Sequence, residues 1–378
     1  PRPCRPYILT TMITRLPLAF ALAALISGCA AVDVTPQVRY APEVLDGTGL
    51  FGHFVEPAPE QNPLAMSPQM RKFVAEEVGS SSFPHRRFRR LMNKLEKQGF
   101  FANPYDQSAT FSAAQTFESK KGNCIAYTNL FIALAREANL DARYQKVHVP
   151  PKWEMSSGLL LRVNHINVYV GGVRLPAATS DEINVDFNSV RPADDSRKEI
   201  ISDAHAASMF YANLAIDHMR EADYERAFAY LKRAALTSGR NPDVWTNLGA
   251  LYSTLGHEDF AEQAYRVARR IDDKDQAAIA GLAKVLRKQG RTGEAEALAA
   301  LVISYQRVNP YYHYAIAEQA YSEGAFDQAL IAINRAIKLK RRNPQFYAFR
   351  AATAQQLGDQ RLFTKSVRLQ HRFSENES

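Results

Sequence analysis

The sequence predicts an α+β domain followed by an all-α solenoid in one chain of 378 residues. Three observations support this fold class. Apolar residues recur at helical spacing between residues 67 and 139. An alternation of period two replaces that spacing in segments between residues 142 and 187. A period of 34 residues then runs from residue 208 to the end of the chain.

Residues 1–28 have the pattern of a secretory signal peptide. Arg15 precedes an apolar run, residues 16–26, that is too short to span a bilayer but suits the core of such a signal. The stretch "ISGC", which ends at Cys29, resembles the lipobox of bacterial lipoproteins, in which the cysteine becomes the lipidated first residue. Because "MITRLPLAF" starts a complete signal at Met12, we expect residues 1–11 to be an upstream extension.

The lipoprotein resemblance implies a location for the protein. Ala30 follows Cys29 in place of aspartate, which resembles outer-membrane lipoproteins and implies a lipid-anchored protein of the bacterial envelope that faces the periplasm. Of the three cysteines, Cys4, Cys29 and Cys124, only Cys124 would then remain as a thiol in the mature chain. Residues 29–65, rich in proline and glycine, are expected to form a lipidated tether or an irregular arm.

A helical layer and an antiparallel sheet are expected over residues 66–200. Ser67 is typical of a helix N-cap, and Gly99 is typical of the end of a second helix. Asn123 fits the N-cap of a third, largely apolar helix. The alternating segments that follow predict strands, with a tight hairpin at Gly171-Gly172.

Cys124 would lie in the first turn of the third helix. Backbone N–H groups and the positive end of the helix dipole stabilise a thiolate at such a position and lower the pKa of the thiol. The same N–H groups can hold the oxyanion that develops during acyl transfer. The location therefore favours a nucleophilic cysteine.

A nucleophilic thiol needs a base, and the base needs an acid that orients it. His165 leads into one predicted strand and Asp186 lies in a later one, so neighbouring strands can place these side chains within hydrogen-bond reach. His148 is the alternative base. Asp181 and Glu182 are the alternative acids, but only Asp186 lies inside an apolar alternation.

The segment around Cys124, with "NHINVYV" at His165 and "INVDFNS" at Asp186, resembles the transglutaminase-like superfamily of papain-type fold. The resemblance implies a helical layer packed on an antiparallel sheet. It also implies that Cys124 attacks a carbonyl, His165 deprotonates the thiol and Asp186 orients the imidazole. The implied outcome is hydrolysis of a peptide or amide, or transfer of an acyl group to an amine, and both remain open.

A repeat fills residues 204–378. Gly256, Gly290, Gly324 and Gly358 are each 34 residues apart, and Ala222 stands one period before the first of them. The segment "VWTNLGALYSTLGHEDFAEQAYRVARRI" resembles the tetratricopeptide repeat. This resemblance implies a solenoid of about five pairs of antiparallel helices, of which the last is degenerate.

One helix of the fourth repeat carries a candidate partner-binding face. Tyr311, Tyr314, Glu318 and Tyr321 recur at i, i+3, i+7 and i+10, and in the repeat's register they lie on the inner, concave face. These side chains would either bind a peptide of a protein partner or pack on the neighbouring repeat. The sequence leaves both alternatives open.

Several function classes have no support in the sequence. The formal net charge of +8 is mild for this length, and the basic run at residues 85–90 suits a solvated helix face, so nucleic-acid binding is not expected. The motifs GxxxxGK[ST], HExxH and CxxC are missing from the sequence, so neither a cofactor nor a metal site is expected.

The resulting expectation is a membrane-anchored, transglutaminase-like cysteine enzyme that acts on a peptide or protein, with repeats that bind a protein partner. Two alternatives remain. One is a catalytically inactive envelope scaffold that uses the repeats beside a degenerate cysteine domain. The other is a cell-wall factor that binds peptidoglycan peptides without cutting them.

Overall fold

The structure is a computed structural model that describes residues 42–100, 106, 109–156, 159–174, 183–187 and 197–374. For residues 148–156 and 159–164, which include His148, only the backbone is described. The expected signal peptide, Cys29 and the two alternative acids at 181 and 182 lie outside the described residues. Within the described part of the chain, no helix combines the length and hydropathy that a membrane span requires.

The order of elements confirms an α+β region followed by an all-α region. The helices are α1 Thr48–Phe51, α2 Pro68–Phe73, α3 Pro84–Lys97, α4 Ala113–Ser119, α5 Cys124–Glu137, α6 Asp203–Arg220, α7 Tyr224–Thr237, α8 Pro242–Thr254, α9 Glu258–Ile271, α10 Gln276–Lys288, α11 Thr292–Val308, α12 Pro310–Ser322, α13 Phe326–Leu339, α14 Pro344–Gln356 and α15 Gln360–Ser374. The strands are β1 Asp141–Ser156, β2 Leu159–Gly171, β3 Ile183–Val185 and β4 Lys198–Ile200.

The predicted helix boundaries are confirmed by their caps. Ser67 Oγ accepts a hydrogen bond from the Met70 backbone N–H at 3.2 Å, which is the geometry of an N-cap. Gly99 follows α3 with a positive φ of 80°, a conformation that glycine adopts at helix ends without a steric cost. Local sequence signals therefore determine where these helices begin and end.

The four strands form an antiparallel sheet in the order β3-β2-β1-β4. The tight hairpin predicted at Gly171-Gly172 is wrong, because β2 ends at Gly171 and pairs with β3, which begins at residue 183. After Gly172, which has a positive φ of 67°, Val173 lies outside the ladder with its side chain buried in the core.

Helix α5 lies at the centre of this region. Every residue from Cys124 to Ala135 is buried, as expected of a helix that is apolar on nearly all sides. The helix packs on β1 and β2, and α3 and α4 also contact it. Its first turn is therefore held between the sheet and the helical layer.

Helices α6–α15 pair into five consecutive antiparallel hairpins. The chain turns between the two helices of the later hairpins at Gly256, Gly290, Gly324 and Gly358, all of which have a positive φ. Ala222 occupies the same place in the first hairpin with a φ of 59°. The left-handed turn between paired helices therefore recurs every 34 residues, in step with the period of the sequence.

Residues 42–65 lie along the first two hairpins. Lys232 Nζ donates to the Val55 carbonyl at 2.7 Å, and Arg233 Nε donates to the Ala58 carbonyl at 2.7 Å. Val44 is completely buried, and its carbonyl accepts a hydrogen bond from the Tyr252 hydroxyl. From residue 42 onward, apolar burial and these hydrogen bonds dock the chain on the repeats as an irregular arm. Residues 29–41 lie outside the described part of the chain, and their role as a lipidated tether stays a prediction.

Candidate active site

The start of α5 is fixed by a network of hydrogen bonds. Asn123 Oδ1 accepts from the Ala126 backbone N–H at 3.1 Å and caps the helix, while Asn123 Nδ2 donates to Thr110 Oγ1 at 2.8 Å. Gly122, the residue before the cap, packs close to α5: a Cβ atom added at Gly122 would lie 2.7 Å from the Cβ of Ala126. Cys124 is consequently the first residue of α5, as the sequence predicts.

His165 and Asp186 are in direct contact. His165 Nε2 lies 2.5 Å from Asp186 Oδ2. The register of β2 and β3 explains this contact: Val168 pairs with Val185, so one further step places Asp186 opposite Asn167, diagonal to His165 on the same face of the sheet. Two residues that are 21 positions apart in the sequence therefore become neighbours.

Phe187 connects the end of β3 to the first two turns of α5. Its ring lies 5.9 Å from that of Tyr127 in a stacked arrangement and 5.7 Å from that of Phe131. Because Phe187 follows Asp186 directly, these ring contacts hold the segment that carries Asp186 against the first two turns of α5.

The candidate site is largely removed from water. The Cys124 side chain is 8% exposed, His165 is buried and Asp186 is half-buried. The Tyr127 hydroxyl donates to the Lys120 carbonyl at 2.8 Å, and burial raises the pKa of this tyrosine. Such surroundings strengthen the interaction between an imidazole and a carboxylate.

Two polar contacts near the site could not be predicted from spacing alone. The Tyr144 hydroxyl donates to Asn129 Oδ1 at 2.6 Å inside the core, and burial raises the pKa of Tyr144. The signal for this contact was an asparagine on the otherwise apolar helix α5. Its effect is to fix α5 against β1, because a buried amide oxygen needs a donor.

A second contact joins the helix cap to the solenoid. The Thr110 hydroxyl hydrogen-bonds to the Asp217 carboxylate of α6, and Arg220 Nη1 donates to Asp217 Oδ1 at 2.9 Å. Burial raises the pKa of Asp217 against the opposing effect of these donors. Since Thr110 also accepts from Asn123, the first repeat helix is linked to the cap of the cysteine helix.

The predicted partner-binding tyrosines pack on the neighbouring hairpin. The rings of Tyr311 and Tyr314 lie 5.4 and 5.2 Å from that of Phe346, and the Tyr321 ring lies 5.4 Å from that of Phe349. Glu318 hydrogen-bonds to Tyr314, and burial raises the pKa of that tyrosine. The three tyrosines thus pack on the neighbouring hairpin, which is one of the two predicted alternatives. Binding of a partner by this face stays a prediction.

The sheet also contacts the first helices of several hairpins. Strand β1 lies against α6 and α12, and β2 lies against α10. In the repeat's register these helices line the inner face of the solenoid. Part of the face predicted to bind a partner is therefore covered by the chain's own strands.

Comparison with a family model supports the N-terminal assignment. Residues 71–213 match the sequence model of the transglutaminase-like superfamily. The human protein O-mannosyl-transferase TMTC1 is 29% identical over 158 residues, which are 41% of this chain. This chain spans only 17% of the length of that human protein.

Three solved structures show similarity at low identity. MamA from Desulfovibrio magneticus RS-1 has a TM-score of 0.26 at 15% identity and covers 45% of this chain and 96% of its own. PilF from Pseudomonas aeruginosa has a TM-score of 0.28 at 16% identity, with coverages of 46% and 78%. YrrB, described as a TPR protein with an unusual peptide-binding site, has a TM-score of 0.26 at 14% identity, with coverages of 44% and 86%.

The assignment of the repeats consequently depends on this chain's own 34-residue period and on the hairpins that follow it. Residues 71–213 are a transglutaminase-like domain, and the chain continues from it into an all-α solenoid of tetratricopeptide repeats.

Proposed function

We propose that this chain is a transglutaminase-like cysteine enzyme that hydrolyses an amide bond of a peptide or protein, or transfers its acyl group to an amine. The contact between His165 Nε2 and Asp186 Oδ2 carries the proposal. An imidazole held by a carboxylate is the base that an activated thiol requires, and α5, which packs on the strand of His165, begins with Cys124.

Each residue then has a defined step. Asp186 engages Nε2 of His165, so Nδ1 accepts the thiol proton, and the thiolate of Cys124 attacks the substrate carbonyl carbon. Backbone N–H groups at the start of α5 stabilise the tetrahedral oxyanion. The C–N bond breaks as His165 returns the proton to the leaving amine, and a thioester remains. Water or a second amine attacks the thioester, and the thiol regains its proton.

The test is the reactivity of Cys124 toward a thiol-directed probe at neutral pH. We expect rapid labelling, and His165→Ala should slow it at least about a hundredfold because the general base is lost. His371→Ala is the control, since His371 is exposed on α15, the last helix of the repeats, and should leave the rate unchanged. Equal rates in wild-type and His165→Ala protein would refute the enzyme proposal.

A binding scaffold is the second candidate, and the burial of Cys124 favours it. A thiol that is only 8% exposed offers little surface to a substrate. Slow labelling of the wild-type protein, together with capture of a peptide or protein partner that is unaffected by Cys124→Ala, would support the scaffold over the enzyme.

The proposal includes a lipid anchor at Cys29 and a location in the bacterial envelope, facing the periplasm. Docking from residue 42 onward leaves twelve residues, 30–41, between the anchor and the repeats, a reach of about 40 Å when fully extended. Growth with a clickable fatty acid should label the wild-type protein, and Cys29→Ala should abolish the label. A label that persists in Cys29→Ala would exclude this anchor.

A further inference from the structure

The solenoid is interrupted between its third and fourth hairpins. At the other junctions the second helix of one hairpin packs on the first helix of the next, as α7 does on α8, α9 on α10 and α13 on α14. Helices α11 and α12 lack a comparable contact. The buried core divides at the same place, since one cluster ends at Ala295 and the other begins at Tyr314.

Two apolar residues are uncovered at this junction, although their counterparts one period earlier are buried. Leu301 of α11 is 50% exposed, whereas Val267 of α9, one period earlier, is 2% exposed. Ile316 of α12 is 39% exposed, whereas Leu282, one period earlier, is 1% exposed. These residues lie on the two faces that would meet if the hairpins stacked. The sequence therefore encodes a stacking interface that the single chain leaves open.

The connection between the hairpins accounts for the opening. Four residues separate the helices at the other junctions: 238–241, 272–275 and 340–343. Only Asn309 lies between α11 and α12, because α11 extends over 17 residues rather than the 14 of α7, α9 and α13. Gln306 and Arg307 are good helix formers, whereas Gly239 favours a turn at the first junction. A one-residue link keeps α12 from folding back on α11.

We propose that two copies of this chain exchange their last two hairpins, so that α12 of each copy packs on α11 of the other. The repeat indicates what should cover the open face of α11. Helix α10 packs on α9, and α11 stands one period after α9. The helix expected to cover α11 is therefore α12, together with α13 of the same hairpin. The short link prevents this packing within one chain, so the hairpin α12–α13 of a second copy packs on α11 instead. A two-fold axis satisfies both open junctions at once.

The mass of the full chain in solution tests the proposal. Light scattering after gel filtration should give twice 42.4 kDa over a wide range of concentrations. Leu301→Glu and Ile316→Glu should each reduce the mass to that of one chain, because the exchange buries both positions. Both side chains are already exposed in the single chain, so circular dichroism should show unchanged helicity.

Ile331→Glu is the matched control. Ile331 of α13 is 72% exposed, and Ala297, one period earlier, is exposed as well, so this position lies outside the stacking interface. The control variant should keep the dimer mass. A loss of dimer in Ile331→Glu equal to that in Leu301→Glu would overturn the assignment of the interface.

Cross-linking distinguishes exchange from closure within one chain. In a background without native cysteines, a chain with Leu301→Cys is mixed with a chain with Ile316→Cys and treated with a short bifunctional maleimide. A cross-link that joins the two different chains supports the exchange. The proposal fails if the chain is monomeric at every concentration, or if a chain with both substitutions cross-links internally at the monomer mass.

Discussion

Ala222 is expected to be the least favourable residue of the repeat turns. Its φ of 59° lies in the left-handed region, where the equivalent positions carry glycine, with φ values from 71° to 82°. Its side chain is exposed, so the Cβ contributes little burial in return. Ala222→Gly therefore should stabilise the protein.

The magnitude follows from two opposing effects. A non-glycine residue in the left-handed region costs about 1–2 kcal/mol, and glycine costs about 0.5–1 kcal/mol in backbone entropy. The net gain in the free energy of unfolding is about 0.5–1 kcal/mol, or an increase of about 1–2 °C in Tm for a unit of this size.

Thermal unfolding of Ala222→Gly and of the reciprocal variant Gly256→Ala is the assay. Nothing lies within 4 Å of a Cβ added at Gly256, so its substitution measures backbone strain without a steric clash. We expect Gly256→Ala to lose about 1 kcal/mol. If Ala222→Gly lowers Tm while Gly256→Ala leaves it unchanged, the strain argument is refuted.

Four further predictions concern the site and its supports. Asp186→Asn should slow labelling of Cys124 at least about tenfold, because the imidazole loses its orienting carboxylate, and stopped-flow labelling measures the rate. Lys232→Met should speed proteolysis within residues 42–65, since the ammonium no longer holds the docked segment. Thr110→Val should lower the free energy of unfolding by about 1–3 kcal/mol in urea titrations, because it leaves buried polar partners unpaired. Burial raises the pKa of Asp217, so folding favours its protonated form and stability falls as pH rises through the folded-state pKa. Asp217→Asn should remove that decline in urea titrations between acidic and neutral pH.

Features with a local cause could be predicted from the sequence. The N-cap role of Asn123 depends on its own side chain and the next three residues, and the structure confirms it. The turns at Gly256, Gly290 and Gly324 depend on a conformation that glycine adopts readily, and the 34-residue period marks each one. The contact between His165 and Asp186 could also be predicted from the sequence. Both residues belong to predicted neighbouring strands, and the register between two paired strands is enough to bring their side chains together.

Features with a tertiary cause could not be predicted. The Gly171-Gly172 pair resembles a hairpin turn, but the strand that pairs with β2 begins only at residue 183. Proline and glycine in residues 42–65 are equally compatible with a free tether and a docked arm, and the choice depends on carbonyl acceptors for Lys232 and Arg233. The partner of Thr110 lies more than a hundred residues away, beyond any local pattern.

The solenoid and the candidate site share one structural unit rather than two. Arg136 of α5 forms a bidentate pair with Asp203 at the start of α6, at 2.6 and 2.9 Å, and Asp217 of the same helix holds the Thr110 hydroxyl. The superfamily match extends to residue 213, inside α6, so the first repeat helix also completes the transglutaminase-like domain. Because α6 packs on α7 and α8 as well, any force that moves the first hairpins acts on the helix that supports the cap of α5. We therefore expect binding to the repeats and reactivity at Cys124 to be coupled through α6, and point substitutions in the intact chain should separate them where a truncation would remove both.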